Sequence, residues 1–169
     1  MCKKYVVWLF CVFLLSAPVA VMADWQEWIA GVTEFSALQK AAEQGNVEAQ
    51  LILAGIYFHG QGVPQDVAKG LEWILKAAEQ GFAEAQFYLG VMYFGGFGVL
   101  RDEAKGAYWF QKAAEQGDAR AQLVLGAMYL EGQGVPKDET KATEWLQKAA
   151  EQGNAEAQSV LDTIRRTER

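Results

Sequence analysis

The sequence predicts an all-α protein, an α-solenoid of four antiparallel helix pairs, and three observations carry that prediction. The hexapeptide Lys-Ala-Ala-Glu-Gln-Gly reads identically at residues 40–45, 76–81, 112–117 and 148–153, each copy starting 36 residues after the last. An Ala-Gln pair follows every copy at the same distance, at Ala49-Gln50, Ala85-Gln86, Ala121-Gln122 and Ala157-Gln158. Tyr57, Tyr93 and Tyr129 each stand just before a glycine-rich stretch. A fixed period of about 20–50 residues is what a chain built from one stacked supersecondary unit produces.

The chain opens with Lys3 and Lys4, an apolar run over residues 6–15, then Pro18 and Val21-Met22-Ala23, with small or branched residues where a signal peptidase reads. That order predicts a signal peptide over residues 1–23 and a periplasmic or secreted chain beginning at Asp24. An uncleaved anchor is the other reading, because the apolar stretch to Met22 is only just short of the ~20 residues of a spanning helix. A lipoprotein would place its cysteine directly after the cleavage site, whereas Cys11 sits inside the apolar run. Both cysteines, Cys2 and Cys11, leave with the signal, so the mature chain has no disulfide, thiolate metal ligand or cysteine nucleophile. Loss of Lys3 and Lys4 also takes the basic count from 15 to 13 against 21 acidic residues, and the net charge from −6 to −8. Without a basic cluster, such a chain is poorly suited to nucleic acid or an anionic membrane surface, and a protein partner is expected.

Residues 24–45 read as an N-terminal capping segment. Asp24 with Glu27 is a helix start, Gly31 is a candidate break, and residues 30–44 are a degenerate first copy. The repeats proper run over 46–81, 82–117 and 118–153, with 154–169 as a C-terminal capping helix. In each helix pair, a first helix (A) begins after an aspartate cap such as Asp66 and carries a stripe such as Gly70, Trp73, Ile74 and Ala77. It ends at a glycine such as Gly81. A second helix (B) follows at once, capped by Asn46, Asp118 or Asn154, with Ala85, Leu89, Met92 and Tyr93 as its stripe in the middle copy. The predicted pairs are residues 30–44 with 46–58, 66–80 with 82–94, 102–116 with 118–130, and 138–152 with 154–165. Small residues at Gly70, Gly106 and Ala142, opposite Ala54, Gly90 and Gly126, are expected to let backbones approach within each hairpin. Turns such as Gly60-Gln61-Gly62-Val63-Pro64 reset the chain between units. In the last copy Asp162 and Arg165 replace the packing glycine and the tyrosine, so nothing further stacks, and Arg165, Arg166 and Arg169 suit a helix C-terminus.

The run from Ala83-Glu84-Ala85-Gln86 through Leu89-Gly90, Tyr93, Gly96, Gly98 and Asp102, then Lys105, Trp109 and residues 112–117, resembles the Sel1-like repeat. The likeness covers residue 30 to about 165. It implies a right-handed superhelix similar to tetratricopeptide arrays, whose A helices line the concave face. It also implies a role among adaptors, virulence factors, periplasmic regulators and immunity proteins. Cysteine-rich members of that family pair cysteines within each repeat, and some bind penicillin; the repeats here lack those cysteines.

Catalytic groups are sparse. The mature chain holds one histidine, His59, read as a solvated loop residue, and two serines, Ser36 and Ser159, two to three repeats apart. Glu43, Glu79, Glu115 and Glu151 recur at a solvated helix end, and Trp73, Trp109 and Trp145 recur as inter-helix core. The expectation is therefore a non-enzymatic interaction scaffold without cofactor or metal. An immunity protein that neutralises a secreted toxin is the first alternative, and a cell-wall or β-lactam-acting enzyme the second.

Positions where the copies differ are not fixed by stacking. On the A helices these are Leu71, Ala107 and Thr143, then Leu75, Gln111 and Gln147, with Glu72, Tyr108 and Glu144 alongside. Leu71, Glu72, Leu75, Tyr108, Gln111, Thr143 and Gln147 form the expected protein-binding face, with Tyr108 as its anchor. An alternative patch is Phe82, Phe97 and Leu100, apolar where the other copies have polar caps, glutamine and proline.

Overall fold

The computed structural model describes the backbone of residues 19–167 and side-chain environments from 31 to 166. Most of the predicted signal peptide, Cys2 and Cys11 included, and Arg169 lie outside the described residues. Those residues contain eight helices and no strand, so the fold is an all-α repeat. The chain divides into two compact units, one up to Ala41 and one from Ala42 onward.

The first unit contains most of α1 (Val19–Glu43). Two sequence expectations fail here. Gly31 does not break the helix, and Asp24 lies inside it rather than at its start. A glycine costs a helix interior about 1 kcal/mol relative to alanine, too little to end a run of 25 residues.

The second unit contains α2 (Val47–His59), α3 (Val67–Glu79), α4 (Ala83–Gly95), α5 (Glu103–Glu115), α6 (Ala119–Glu131), α7 (Glu139–Glu151) and α8 (Ala155–Thr167). Helices α3, α5 and α7 are the A helices; α2, α4, α6 and α8 are the B helices. Their starts follow from capping. Asp66, Asp102 and Asp138 each accept the backbone N–H three residues on, at 2.9–3.0 Å, and Asn46, Asp118 and Asn154 do the same for B helices. Helix α4 is the exception, because Phe82 holds the cap position with extended backbone and no side-chain bond. The A-to-B turn is closed by a glycine at positive φ, 90° at Gly81, a conformation that a Cβ disfavours.

The tyrosine that precedes each glycine-rich stretch anchors the turn. The carbonyls of Tyr57, Tyr93 and Tyr129 accept the backbone N–H of the next cap, Asp66, Asp102 and Asp138, at 2.8–2.9 Å. The lysine in the following first turn, Lys69, Lys105 or Lys141, stands 5.4–5.5 Å from the tyrosine ring centroid and 3.5 Å from the cap carboxylate.

Each position of the hexapeptide now has a physical task. Its lysine lies over an aromatic ring, Lys76 over Trp73 and Lys148 over Trp145 at 4.0 Å. Its alanines, such as Ala77, Ala78, Ala113 and Ala114, are buried between helices. Its glutamate is exposed. Its glutamine joins neighbouring hairpins. Gln86, buried on α4, donates to the Ala78 carbonyl of its own hairpin and accepts from Gln116 Nε2 of the next hairpin at 2.7 Å. The same pair of bonds recurs at Gln50, with Ala42 and Gln80, and at Gln122, with Ala114 and Gln152. On α8 the equivalent Gln158 is exposed and donates to Asp162.

Packing corrects two further expectations. The small-residue pairs lie between each B helix and the next A helix, not within the hairpins: a Cβ on Gly70 would come 2.7 Å from the Phe58 ring, and one on Gly90 2.7 Å from the Phe110 ring. The glycines are thus sockets for large side chains as well as points of close approach. The second concerns the tryptophans. Trp73 is buried, but Trp109 and Trp145 are half-buried, and the fully enclosed position is one residue later, at Phe110 and Leu146. Phe110, 1% exposed, packs against Phe87 and Phe94 at centroid distances of 5.7 and 6.4 Å.

Phe110→Ala should therefore cost about 3–5 kcal/mol in urea unfolding, whereas Trp109→Ala should cost less, roughly 1–2 kcal/mol, because part of its surface already meets water. The aspartate caps set the acid limit. Hydrogen bonds from the backbone N–H of Lys69, Lys105 and Lys141 hold Asp66, Asp102 and Asp138 below 3.8. Burial pushes Asp118 up, but bonds from Arg120 and the backbone of Ala121 outweigh it and leave it lowered. Depressed carboxylates contribute fully above their unfolded value and lose that contribution as pH falls through the folded one. The melting temperature should thus drop on going from about pH 5 to about pH 2.5, and less steeply in the triple variant Asp66→Asn, Asp102→Asn, Asp138→Asn.

Candidate functional site

Among the sequence-predicted residues of the A helices, Tyr108 is the large side chain left exposed, at 54%. It meets Trp109 edge-on at 5.2 Å, and the Lys112 ammonium stands 5.1 Å from its ring, a position that Trp73 and Trp145 hold in the flanking repeats. Leu71 and Leu75 on α3 are half-buried, and Glu72 is exposed. The polar candidates are engaged within their own helices: Gln111 donates to Glu115, Gln147 to Glu151, and the half-buried Thr143 hydroxyl to the Glu139 carbonyl. Ala107, counted among the free positions, is buried at 3%. The A-helix face therefore offers one aromatic residue with polar neighbours, and repeat register rather than direct bonding relates its members.

Phe82 is half-buried at the start of α4, Leu100 is 91% exposed in the turn before α5, and Phe97, 62% exposed, lies against Gly95. Phe97 borders a concavity.

That concavity is an open groove of about 580 Å³ between the successive B helices α2 and α4. Leu51, Ile52 and Phe58 of α2 line one side and Tyr88, Val91 and Met92 of α4 the other, with Ile74 reaching it from α3. His59, Glu84 and Phe97 complete it. His59 is the last residue of α2 and exposed, not a residue of the loop as the sequence suggested.

Two differences between the copies set this groove apart from the next one. Gly55 stands where later copies have Val91 and Ala127, and a Cβ added at Gly55 would meet nothing within 4 Å. Glu84 keeps the glutamate of Glu48 and Glu156, which Arg120 replaces in the next copy. Arg120 lies over Phe87, 4.4 Å from its centroid, and 5.9 Å from that of Tyr88, held by Asp118 at 2.6 Å. Phe87 and Tyr88 are the register equivalents of Leu51 and Ile52, so the guanidinium covers between α4 and α6 the site that is open between α2 and α4. Helices α2 and α4 contain no lysine or arginine. Their acids are Glu48 and Glu84, each in a first turn, and the Glu84 carboxylate accepts the Tyr88 hydroxyl at 3.3 Å.

Chemically, these surfaces suit binding. Among the described residues no three His, Cys, Asp or Glu side chains are placed to hold a metal ion, and no described helix is long and apolar enough to cross a membrane. Ser159 and His59 belong to α8 and α2, at opposite ends of the repeats. The groove was absent from the sequence reading although its signals, Gly55 against Val91 and Glu84 against Arg120, are visible when the B helices are aligned.

A family model for the Sel1 repeat matches residues 38–46, 47–82, 83–118 and 119–154. The crystal structure of a Sel1 repeat protein from Oxalobacter formigenes is similar with a TM-score of 0.74 and 40% identity, over 77% of this chain and 98% of that one. A protective antigen present in uropathogenic Escherichia coli strains, displaying an SLR fold, gives 0.67 and 48% identity over 71% of this chain, which spans 26% of that one. Helicobacter pylori cysteine rich protein B gives 0.58 and 28% identity, over 75% and 96% of the two chains. No curated protein matches the sequence.

Proposed function

Because the chain belongs to the Sel1 repeat family, whose repeats generally mediate protein–protein interaction, we propose that it is an exported, non-catalytic scaffold that binds a protein partner. The observation that carries this reading is the 54% exposure of Tyr108, the aromatic residue among the A-helix candidates, beside polar neighbours. Isolated exposed apolar residues are common, but binding energy at interfaces concentrates in aromatic, arginine and aliphatic anchors surrounded by polar neighbours. The proposed face is that of the A helices: Leu71, Glu72 and Leu75 on α3, Tyr108 and Gln111 on α5, and Thr143 and Gln147 on α7. Export rests on the basic and apolar order of residues 3–15 and the Val21-Met22-Ala23 site. The acidic balance, 21 acidic against 15 basic residues, supports a protein over nucleic acid.

The test is affinity capture with chain recovered from the periplasm, whose mass should correspond to a start at Asp24. Tyr108→Ala should weaken the captured partner by about 2 kcal/mol with helix content and melting unchanged. Equal binding by Tyr108→Ala and wild type would remove the A-helix face from the account.

A further inference from the structure

We propose that the groove between α2 and α4 is a second docking site, for a segment of a protein partner that presents a bulky apolar side chain next to a lysine or arginine. The proposal rests on the reading of this chain as a protein-binding scaffold and adds a location and a recognition chemistry that the A-helix face does not supply.

Shape gives the apolar half of the occupant. The groove is about 580 Å³ and lined by aliphatic and aromatic side chains, within the usual range for a binding cleft. Its space is unclaimed by the fold. Gly55 leaves a gap that a valine or alanine fills in the following copies, and Ile52 and Tyr88 flank it at 53% and 40% exposure. Phe97 extends the apolar lining beyond the C-terminal end of α4, where the other copies have Gln61 and Gln133.

Charge gives the other half. With no lysine or arginine on either flanking helix, the groove has no strong cation of its own, and His59 is its one basic side chain. Its carboxylate, Glu84, is half-buried and accepts a long bond from Tyr88, which leaves lone pairs for a cationic donor. The next repeat shows what such a cation does in this setting. Arg120, at the register position of Glu84, caps Phe87 and Tyr88 with its guanidinium while Asp118 neutralises it. A partner's arginine or lysine would supply to the first groove what Arg120 supplies to the second. An acidic segment would meet the Glu84 carboxylate, while the nearby cation, Arg120, 5.9 Å from the Tyr88 ring, is already paired with Asp118.

The test uses short labelled peptides in fluorescence polarisation against the full chain. One set carries Leu-Phe beside Arg, a twin has Glu for Arg, and a second twin has Ser for both apolar residues. The Arg peptide should bind wild type, and both twins should bind at least about tenfold more weakly. Gly55→Leu, which fills the gap at an ordinary helical position and so should fold, should weaken the Arg peptide about ten- to a hundredfold. Glu84→Arg should weaken it a further few-fold, in a way that added salt removes. Tyr108→Ala should leave it unchanged. Equal binding of the Arg and Glu peptides, equal binding by wild type and Gly55→Leu, or no binding by any of the set would overturn the groove proposal. Loss of a captured partner in Tyr108→Ala with full retention in Gly55→Leu would overturn it too, while the scaffold reading stands. Peptide binding without any captured protein would support the groove and remove the scaffold reading.

Discussion

The array is organised by a buried amide. Gln86 sits 4% exposed inside α4, where an unsatisfied amide would cost about 1–3 kcal/mol. Its needs are met from two directions: the Ala78 carbonyl at the end of its own A helix accepts its N–H, and Gln116 from the next hairpin donates to its oxygen. Gln50 and Gln122 repeat the arrangement. One side chain therefore fixes both the hairpin and the register of the neighbouring hairpin. Apolar packing alone is non-directional and would tolerate sliding; a half-satisfied amide would not. The identical hexapeptide is the covalent record of this requirement, since its alanines make room, its glutamine donates and its glycine turns the chain.

With register fixed in that way, the copies are free to differ elsewhere, and the differences fall on two surfaces. On the A helices, Tyr108 stands between Glu72 and Glu144 in register. On the B helices, the loss of a side chain at Gly55 and the exchange of Glu84 for Arg120 leave one inter-repeat groove open and the next covered. The scaffold thus holds a common core, Leu53, Leu89, Leu125 and Leu161 being equally enclosed, and places its individuality at the surface, where recognition can vary without disturbing the stack.

Fold class was legible in the sequence because the period, caps and glycine turns are local signals repeated several times over. Helix ends agree with the caps to within a residue or two where a polar cap or a glycine marks them, as at Asp66 and Gly96. Legibility failed where the answer depends on three-dimensional neighbours. Trp109 and Phe110 are adjacent and both aromatic, and only the socket at Gly90 decides which of them is enclosed. Gly31 carries the composition of a break without the dihedral of one. Tyr108 and Phe97 were readable as exposed from their departure from register. The groove was not, because it is assembled from α2, α3, α4 and a turn, and because its central feature is a missing side chain.

The most direct measurement of the central claim is a double-mutant cycle on Gln86 and Gln116, comparing urea unfolding of wild type, Gln86→Ala, Gln116→Ala and the double variant. If the buried amide welds consecutive hairpins, the two substitutions should be coupled by about 1 kcal/mol, with Gln86→Ala the costlier single change. Additivity to within about 0.3 kcal/mol would contradict the account and leave apolar packing as the sole source of register.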